Sequence, residues 1–384
     1  MINLKKIPVL PINLKNKRII VRIDINSPVK NNKPFDNPRF SAAAETIKFL
    51  KKHEAKIILL AHQSNPGKSD FISLKNHARI LSKYTKVTFI NSSFHSLEKT
   101  IKSLKPSEAI LLDNIRFQKD EMLPDAPYTK LLSQLADIYI NDAFSVSHRQ
   151  QASITGFPNY LPSYLSPNHK KEIHALLKLQ LKNSLYILSG AKPKENLLFF
   201  KKNQRIIASG IFGQLCLASK GFKFGKHESL LPLDYLKQTR QAIKKTNPIL
   251  PEDFAVSISG KRRELPLTKF PNKYIIYDIG KISIEKFKKE IKKAKVIFMK
   301  GPLGYIEEQK FSQGTKEILQ TIAKSKSFSI LGGGHLTTAL KKFNISSSKF
   351  NHISLSGGAL ATLVSGNTLP GLEAIQNCTF NKHI

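Results

Sequence analysis

The chain has 384 residues, 41% of them hydrophobic, which is enough for two domains with cores of ordinary size. No run of about 18 apolar residues occurs, so the sequence excludes a protein anchored by a hydrophobic helix. Residues 1–11 lack the continuous apolar segment of a signal peptide. Cys216 and Cys378 are too few and too far apart for a disulfide framework or a cysteine metal motif, and we expect a reducing, cytoplasmic environment.

The formal net charge is +35, from 62 Lys and Arg residues against 27 Asp and Glu residues. Such an excess favours a nucleic acid or another anionic partner. Only 10 of the 62 basic residues are Arg, however, and the Lys residues are scattered without an aromatic-interleaved basic stretch. We therefore predict weak, non-specific binding to polyanions, with no specific nucleic-acid partner and no membrane partner.

The first predicted strand ends in polar side chains that alternate with apolar ones. Residues 19–21 are apolar and β-branched, as in a buried parallel strand. Arg22, Asp24 and Asn26 then occupy every second position. A carboxylate and a carboxamide at the carboxyl end of a strand can hold a small hydroxylated anion. An edge strand with one solvated face would have the same pattern, so this strand alone leaves both interpretations open.

The first half of the chain repeats one order of features: a strand, polar residues and a helix. The predicted strands are 56–61, 109–112 and 137–140, and the predicted helices are 40–53, 74–84 and 128–135. This order is typical of a parallel sheet with right-handed crossover connections. The polar residues at or beside the strand ends are Asp24, Asn26, Arg39, His62, Arg116, Asn141, Asp142, His148 and Arg149. Because Arg binds carboxylate and phosphate groups in a bidentate manner, this edge is a candidate anion site.

The second half follows a connector. A Pro- and Tyr-rich stretch at 158–167 and an amphipathic helix at 170–182 are predicted to join two lobes. Beyond them, strands are predicted at 185–188, 205–208, 274–280, 295–299 and 328–331, and a basic, solvated loop at 261–265. Turns of small residues precede helices at 189–193, 209–210, 300–304 and 332–335. Backbone N–H groups in such turns can face phosphate, so we predict a nucleotide site in this half.

A series of ordered motifs resembles the phosphoglycerate kinase family along nearly the whole chain. The motifs lie at 21–28, 114–117, 140–144, 148–149, 190–192, 301–304, 332–334 and 369–375. The resemblance implies an α/β fold with two Rossmann-like lobes, each with a parallel sheet, joined by a hinge helix. It implies an N-terminal phosphoglycerate-binding lobe at 1–165, to which a C-terminal tail at 372–384 returns, and a C-terminal nucleotide-binding lobe at 166–371. A monomeric, cytoplasmic enzyme is expected.

The resemblance also implies an activity, the transfer of a phosphoryl group between 1,3-bisphosphoglycerate and ADP in glycolysis, with magnesium and with ATP or ADP as a substrate. The residues that match the family's 3-phosphoglycerate site are Asp24, Asn26, Arg39, His62, Arg116 and Arg149. The residues that match its nucleotide site are Lys192, Glu307, Gly333 and Gly334. Arg39 and Lys192 would be the catalytic residues, with the Arg39 guanidinium nearest the transferred phosphoryl group.

Several substitutions separate this chain from the family pattern. Asn65 stands where the family has an Arg that binds the substrate phosphate, and Asn196 where it has a second phosphate-binding Lys. His335 replaces the Asp that holds Mg²⁺, so no metal ligand is predicted there. Losing one group aimed at transition-state charge typically lowers a rate about 10²–10³-fold. Lys300, where the family has Asn, and Lys194 are candidates to supply the missing positive charge.

Three functional hypotheses follow. The first is a working phosphoglycerate kinase, which the matching site residues favour. The second is a catalytically degraded relative that retains anion or nucleotide binding, which the substitutions favour. The third is a polyanion-binding module, which is supported by the net charge alone. A test for ATP formation from 1,3-bisphosphoglycerate separates the first two.

Overall fold

The computed structural model describes residues 7–8, 10–11, 13–91, 94–180, 183–201, 203–356, 358–364 and 366–380. The chain divides into two compact units, of which unit 1 comprises Met1–Ile173 with Gly366–Ile384 and unit 2 comprises His174–Ser365. Both are α/β units built on parallel sheets, so the predicted fold class is confirmed. In the ranges given above, no helix is both long and apolar enough to span a bilayer.

Strands and helices are numbered separately in chain order. The strands are β1 (Arg18–Arg22), β2 (Val29–Lys30), β3 (Lys33–Pro34), β4 (Lys56–Leu60), β5 (Thr88–Ile90), β6 (Ala109–Leu112), β7 (Ile138–Asn141), β8 (Ser163–Leu165), β9 (Ser184–Leu188), β10 (Arg205–Ala208), β11 (Asp253–Ile258), β12 (Lys261–Pro266), β13 (Ile276–Ile279), β14 (Val296–Lys300), β15 (Phe328–Gly332) and β16 (His352–Ser354). The helices are α1 (Pro38–Lys52), α2 (Lys75–Leu81), α3 (Phe94–Lys102), α4 (Pro127–Ser133), α5 (Pro167–Leu177), α6 (Pro193–Leu197), α7 (Gly210–Ser219), α8 (Leu236–Thr246), α9 (Lys281–Lys292), α10 (Gln313–Lys324), α11 (Gly334–Lys342), α12 (Gly358–Val364) and α13 (Pro370–Gln376).

The main sheet of unit 1 is parallel, in the order β5-β6-β4-β1-β7-β8. Its central strands are buried on both faces, which explains their continuous apolar sequences. Along β1, Ile19 and Val21 pack in the core on one face and Ile20 in the core on the other. Strands β4, β5 and β6 lie on one side of β1, and β7 and β8 lie on its other side, so the connections run in opposite directions across the sheet from this point. A crevice is therefore expected at the carboxyl ends of β1 and β7.

The main sheet of unit 2 is also parallel, in the order β10-β9-β14-β15-β16. Aromatic side chains fill part of its core, where the rings of Phe199 and Phe298 stack at 5.2 Å between centroids. A separate antiparallel sheet has the order β12-β11-β13. Because β9 lies between β10 and β14, the corresponding crevice of this unit is expected at the carboxyl ends of β9 and β14.

The C-terminal segment packs on unit 1 through α13. Gly371 N donates to Ser147 O at 2.9 Å, and a Cβ at this glycine would lie 2.6 Å from the Ile154 side chain. Only a residue without a side chain therefore allows this close approach. Cys378 is buried beside Leu161 O, and it is a free cysteine like the buried Cys216 of unit 2.

The prediction of a solvated basic loop at 261–265 was wrong. This segment is strand β12, antiparallel to β11. Arg262 donates from Nη1 to Asp278 Oδ2 at 2.9 Å and from Nη2 to Ile279 O at 2.8 Å, both residues belonging to β13. The side chain of Arg262 thus reaches across β11, and its partners are remote in sequence. Charged residues on both faces conceal the alternation by which a strand is usually recognised.

The connector also differs from its prediction. The stretch at 158–167 contains strand β8, which pairs with β7 in parallel. Helix α5 begins at Pro167 rather than at residue 170, because a proline is well suited to the first turn of a helix. It ends at Leu177, and the boundary between the two units falls within it. Leu181 and Lys182, the end of the predicted helix, lie outside the described residues.

Candidate functional site

The first predicted site lies at the carboxyl edge of the unit 1 sheet. Arg39 Nη1 lies 3.2 Å from Asp24 Oδ1 and 3.0 Å from Asp24 Oδ2. Arg39 belongs to the first turn of α1, which the side chain of Asn37 caps, and it also donates to Asn26 O at 3.3 Å. Asn26 Oδ1 in turn accepts from Ser64 N at 2.9 Å. The segments that follow β1 and β4 and the start of α1 are therefore held together.

Arg22, the last residue of β1, is completely buried. Its Nε donates to Ser153 Oγ at 2.8 Å, its Nη1 to Ile23 O at 2.7 Å and its Nη2 to His62 Nδ1 at 3.0 Å. Ser153 Oγ then donates to Glu121 Oε1 at 2.7 Å, and Glu121 is also completely buried. One hydroxyl group thus connects a buried cation with a buried carboxylate, which is how a charge can be accommodated in a protein interior.

The contact with Arg22 determines which ring nitrogen of His62 carries the proton. A guanidinium group has donors only, so Nδ1 of His62 accepts, and the neutral ring has its proton on Nε2. Burial lowers the pKa of His62 well below its usual value, and the positive charges of Arg22, Arg116, Arg149 and Arg39 lower it further. His62 is therefore a neutral hydrogen-bond donor at physiological pH.

Arg116 is held by two carboxamide groups. Its Nη1 donates to Asn65 Oδ1 at 2.9 Å and to the backbone oxygen of Ser64, and its Nη2 donates to Gln151 Oε1 at 3.1 Å. Its buried Nε has no partner among the described residues. Burial, together with the positive charges of Arg22 and Arg149, lowers the pKa of Arg116 to about 9. Asn65 thus orients Arg116 and adds no charge of its own.

All six residues predicted for the phosphoglycerate site lie in unit 1, and these contacts place them at one edge of its sheet. Four of the surrounding side chains form what we call the arginine cluster: Arg22, Arg39, Arg116 and Arg149. An anion bound among them would relieve their mutual repulsion, so the cluster is a candidate anion site. Arg22 was not among the predicted site residues, although its two-residue spacing from Asp24 was a signal for a role.

Asp142 follows β7 and is expected to make the stability of the protein pH-dependent. Burial raises its pKa to about 7, although Ser166 and Thr46 donate hydrogen bonds to its carboxyl group. The native state therefore binds this proton more tightly than the unfolded state, whose carboxyl titrates near pH 4. Its stabilising contribution is complete below pH 4 and is lost as the pH rises through 7.

Denaturant unfolding at pH 5 and pH 8 measures this contribution. Asp142 by itself makes the free energy of unfolding fall between these values, whereas buried histidines with a lowered pKa, such as His62, make it rise. The change in the free energy of unfolding from pH 5 to pH 8 should therefore be more positive in Asp142→Asn than in the wild type. The exposed Asp120 provides the control variant, Asp120→Asn, which should behave like the wild type. An equal change in all three proteins would contradict the assignment.

Unit 2 contains a cavity of about 540 Å³ at the carboxyl ends of its parallel strands. The turns after β9, β10, β14 and β15 form much of its wall, as the sequence predicted for a nucleotide site. The four residues predicted to bind the nucleotide all line this cavity: Lys192, Glu307, Gly333 and Gly334. His335 lines it as well. The geometry thus brings this second set of residues around one concave space.

The cationic corner of this cavity contains Lys300, the last residue of β14. Its Nζ lies 2.9 Å from Glu195 Oε2 and 3.1 Å from Asn196 Oδ1. The side chain of Lys300 is only 10% exposed, whereas that of Lys192 is 68% exposed and lies 3.6 Å from Glu195. Burial lowers the pKa of Lys300, and the ion pair with Glu195 opposes that change. The lysine expected at position 196 is thus absent, but an ammonium group lies against the amide that replaces it.

Gly333 and Gly334, at the start of α11, differ in whether their backbone N–H groups are available to a ligand. Gly333 has φ +100°, which favours glycine, and its N–H donates to Ser354 O at 3.1 Å. Gly334 and His335 are the first residues of the helix, where N–H groups have no intrahelical acceptor. Gly333 therefore shapes the turn, while the N–H groups that follow it are the ones suited to phosphate.

The residues of the cavity do not fit a magnesium ion held by the protein. Within the described ranges, no group of three or more His, Cys, Asp or Glu side chains could hold a metal ion. Glu195 is already paired with Lys300, and His335 offers an imidazole nitrogen. Magnesium takes oxygen ligands in near-octahedral geometry, and Glu307, the other carboxylate of the lining, is exposed, so the cavity offers at most one carboxylate that is not paired with Lys300.

The chain matches the family model described as Phosphoglycerate kinase over residues 9–367. Similar curated proteins include the phosphoglycerate kinases of Methanothermus fervidus, 36% identical with 94% of each chain covered, and Methanopyrus kandleri, 33% identical with 96% of each covered. Similar solved structures include the phosphoglycerate kinase of Pyrococcus horikoshii OT3, with a TM-score of 0.85, 32% identity and 98% of each chain covered. That of Coxiella burnetii has a TM-score of 0.81 and 30% identity, covering 96% of this chain and 98% of its own. This chain therefore belongs to the phosphoglycerate kinase family.

Proposed function

We propose that this chain is an active phosphoglycerate kinase, which transfers a phosphoryl group between 1,3-bisphosphoglycerate and ADP. The observation that supports activity most directly is Lys300, because it supplies a buried cation to the unit 2 cavity despite the loss of a lysine at position 196. The arginine cluster supports the same proposal from unit 1, since it suits a small substrate with several negative charges.

In unit 1, the proposed substrate is 3-phosphoglycerate or its bisphosphate, which has anionic and hydroxyl groups close together. Arg39 and Arg116 offer guanidinium groups to the anionic ends, and His62 offers its Nε2–H. Asp24 holds Arg39 in place through its carboxylate. Because these groups are held by the fold before the substrate arrives, little reorganisation is needed when charge develops on the transferred phosphoryl group.

In unit 2, the proposed substrate is ADP or ATP. Lys192 and Lys300 are the cations for the phosphate groups, and the first N–H groups of α11 are additional donors. Glu307 is exposed at the rim of the cavity and can accept from ribose hydroxyl groups. Catalysis of this reaction rests on positioning and on the stabilisation of phosphate charge, which these residues provide without a covalent intermediate.

A coupled assay for ATP formation from 1,3-bisphosphoglycerate and ADP, with Mg²⁺ or Mn²⁺, tests the proposal. Turnover above the uncatalysed background is the expected result. Its absence under both metals would overturn the proposal and favour the degraded relative that retains only binding. The further expectations of a monomer and of a cytoplasmic location stay predictions.

The substitution His335→Asp is expected to lower the Mg²⁺ concentration that gives half the maximal rate by at least about tenfold, because a carboxylate is a far better magnesium ligand than an imidazole. The measurement is the rate of ATP formation across a Mg²⁺ titration. His335→Asn is the matched control, since it removes the imidazole without adding a charge. If both variants need the same Mg²⁺ concentration, position 335 has no influence on the metal.

A further inference from the structure

Gln214 lines the unit 2 cavity from helix α7, and its side chain is almost completely buried, with 4% of the residue exposed. His227, which lines the same cavity, is completely buried. Neither residue was predicted from the sequence to have a role. Their hydrogen bonds form a directional series that ends at the cavity.

The series begins at the backbone of β13. Ile276 N donates to His227 Nδ1 at 3.0 Å, so this ring nitrogen carries no proton. A neutral imidazole then has its proton on Nε2, and that nitrogen lies 2.7 Å from Gln214 Oε1. Burial lowers the pKa of His227 to about 4, which keeps the ring neutral at physiological pH. Each member of the series therefore has a single possible role as donor or acceptor.

This arrangement fixes the orientation of the Gln214 amide group. Its oxygen accepts from His227, so its nitrogen, which lies in the same plane on the other branch of the amide carbon, is directed away from that contact. Among the described residues no partner for this nitrogen occurs, and the nitrogen is open to the cavity. An acceptor on a ligand that fills the cavity would give this N–H group a partner of fixed direction.

The neighbouring wall indicates which part of a ligand would approach this donor. Ile211, Leu230, Ile276 and Tyr277 line the same cavity and present apolar or aromatic side chains. A flat heteroaromatic ring suits such a wall, whereas phosphate groups suit Lys192, in the turn after β9, and Lys300, at the end of β14. A purine ring has acceptor nitrogens on its edge, and a single fixed donor can select one of them.

We propose that Gln214 recognises the base of the nucleotide by donating a hydrogen bond to one purine ring nitrogen, and that His227 is the residue that positions it. The inference rests on the proposed nucleotide substrate and assigns a specificity residue to it. Gln214 touches the ligand, whereas His227 acts through Gln214.

Calorimetric binding of ADP and of its 1-deaza, 3-deaza and 7-deaza analogues tests the proposal, because each analogue replaces one acceptor nitrogen by a C–H group. One analogue should bind the wild type about tenfold more weakly than ADP, since a buried donor then loses its partner. In Gln214→Met, ADP and that same analogue should bind equally. Gln238→Met is the matched control on the exposed surface of α8, and it should retain the tenfold difference.

His227→Phe tests the positioning role. It should keep binding of ADP measurable but reduce the tenfold difference, because the Gln214 amide can then rotate. A variant with only a structural defect would weaken binding of ADP and all analogues by the same factor. Should Gln214→Met fail to fold in a thermal melt, the wild-type analogue series and His227→Phe still decide the question.

A failure of the base-recognition proposal can be distinguished from a failure of the proposed kinase activity. If no analogue binds the wild type more weakly than ADP, or if the loss is equal in wild type and Gln214→Met, the recognition proposal is overturned even when ATP formation is measured. If ATP formation is absent but the difference depends on Gln214, the catalytic proposal fails and base recognition stands.

Discussion

Lys300→Met is expected to lower kcat for ATP formation by about 10²–10³-fold and to weaken the binding of ADP, because it removes a cation placed for phosphate charge. The ammonium group of Lys300 is nearly buried and is held between Glu195 and Asn196. In such a position a charge acts more strongly than at the surface, where water and salt screen it. The measurements are steady-state rates and calorimetric affinity for ADP.

Lys295→Met is the matched control for this prediction. Lys295 precedes β14 at its amino end and is exposed, so its loss should change neither rate nor affinity. Equal activity of wild type and Lys300→Met would show that the cation at position 300 has no catalytic role.

An exchange of the two residues gives a second, independent test. Asn196→Lys alone should impair the protein, because it removes the amide that accepts from Lys300 and brings a second ammonium group close to the first, where like charges repel. The double variant Asn196→Lys with Lys300→Asn restores one cation and one amide, and it should be more active than either single variant. Additive losses in the double variant would mean that the two positions do not act as a unit.

Arg22→Met is expected to destabilise unit 1 by about 3 kcal/mol, because removing one member of a buried charged pair leaves the other without compensation. The residue left behind is Glu121, which contacts Arg22 through Ser153. Hydrogen exchange of the amides of β1 under denaturant reports on unit 1 alone and provides the measurement. The substitution also removes the donor to His62 Nδ1, so nitrogen chemical shifts of the imidazole should show a mixture of the two neutral forms.

The exposed Arg79 of the same unit is the control for this prediction. Arg79→Met removes an arginine of equal size from the surface and should change the free energy of unfolding by less than about 0.5 kcal/mol. If the two variants have the same stability, the buried network around Arg22 does not contribute as we infer. Unchanged shifts of His62 would separately contradict its orientation by Arg22.

The sequence predicted much of the unit 1 site, for a simple geometric reason. Parallel strands end at one edge of a sheet, so the polar residues that follow β1, β4 and β6 come close together whatever their spacing in the chain. Asp24, His62 and Arg116 were therefore identified from local patterns alone. The turns of unit 2 were predicted in the same way, because small residues between a strand and a helix are recognisable within a few positions.

Other features depended on contacts between residues far apart in the chain. Strand β12 was predicted as a loop, because Arg262 pairs with an acid on another strand and local patterns do not show that partner. Nothing near Gln214 in the sequence indicates that a histidine 13 residues later fixes its amide group. These are interactions that require the packed fold before they exist.

The sequence by itself determined the α/β class, the order of strands and helices in most of both halves, and the family. The tertiary structure alone decided which charged residues are buried and what compensates them. Arg22 and Lys300 are two of 62 basic residues, and nothing beside them in the sequence shows that each is enclosed by partners from distant segments. The free energy of a charged side chain depends on how deeply it is buried and on which charges it pairs with. Both are set by neighbours in three dimensions, so the role of such a residue cannot be inferred from the local sequence.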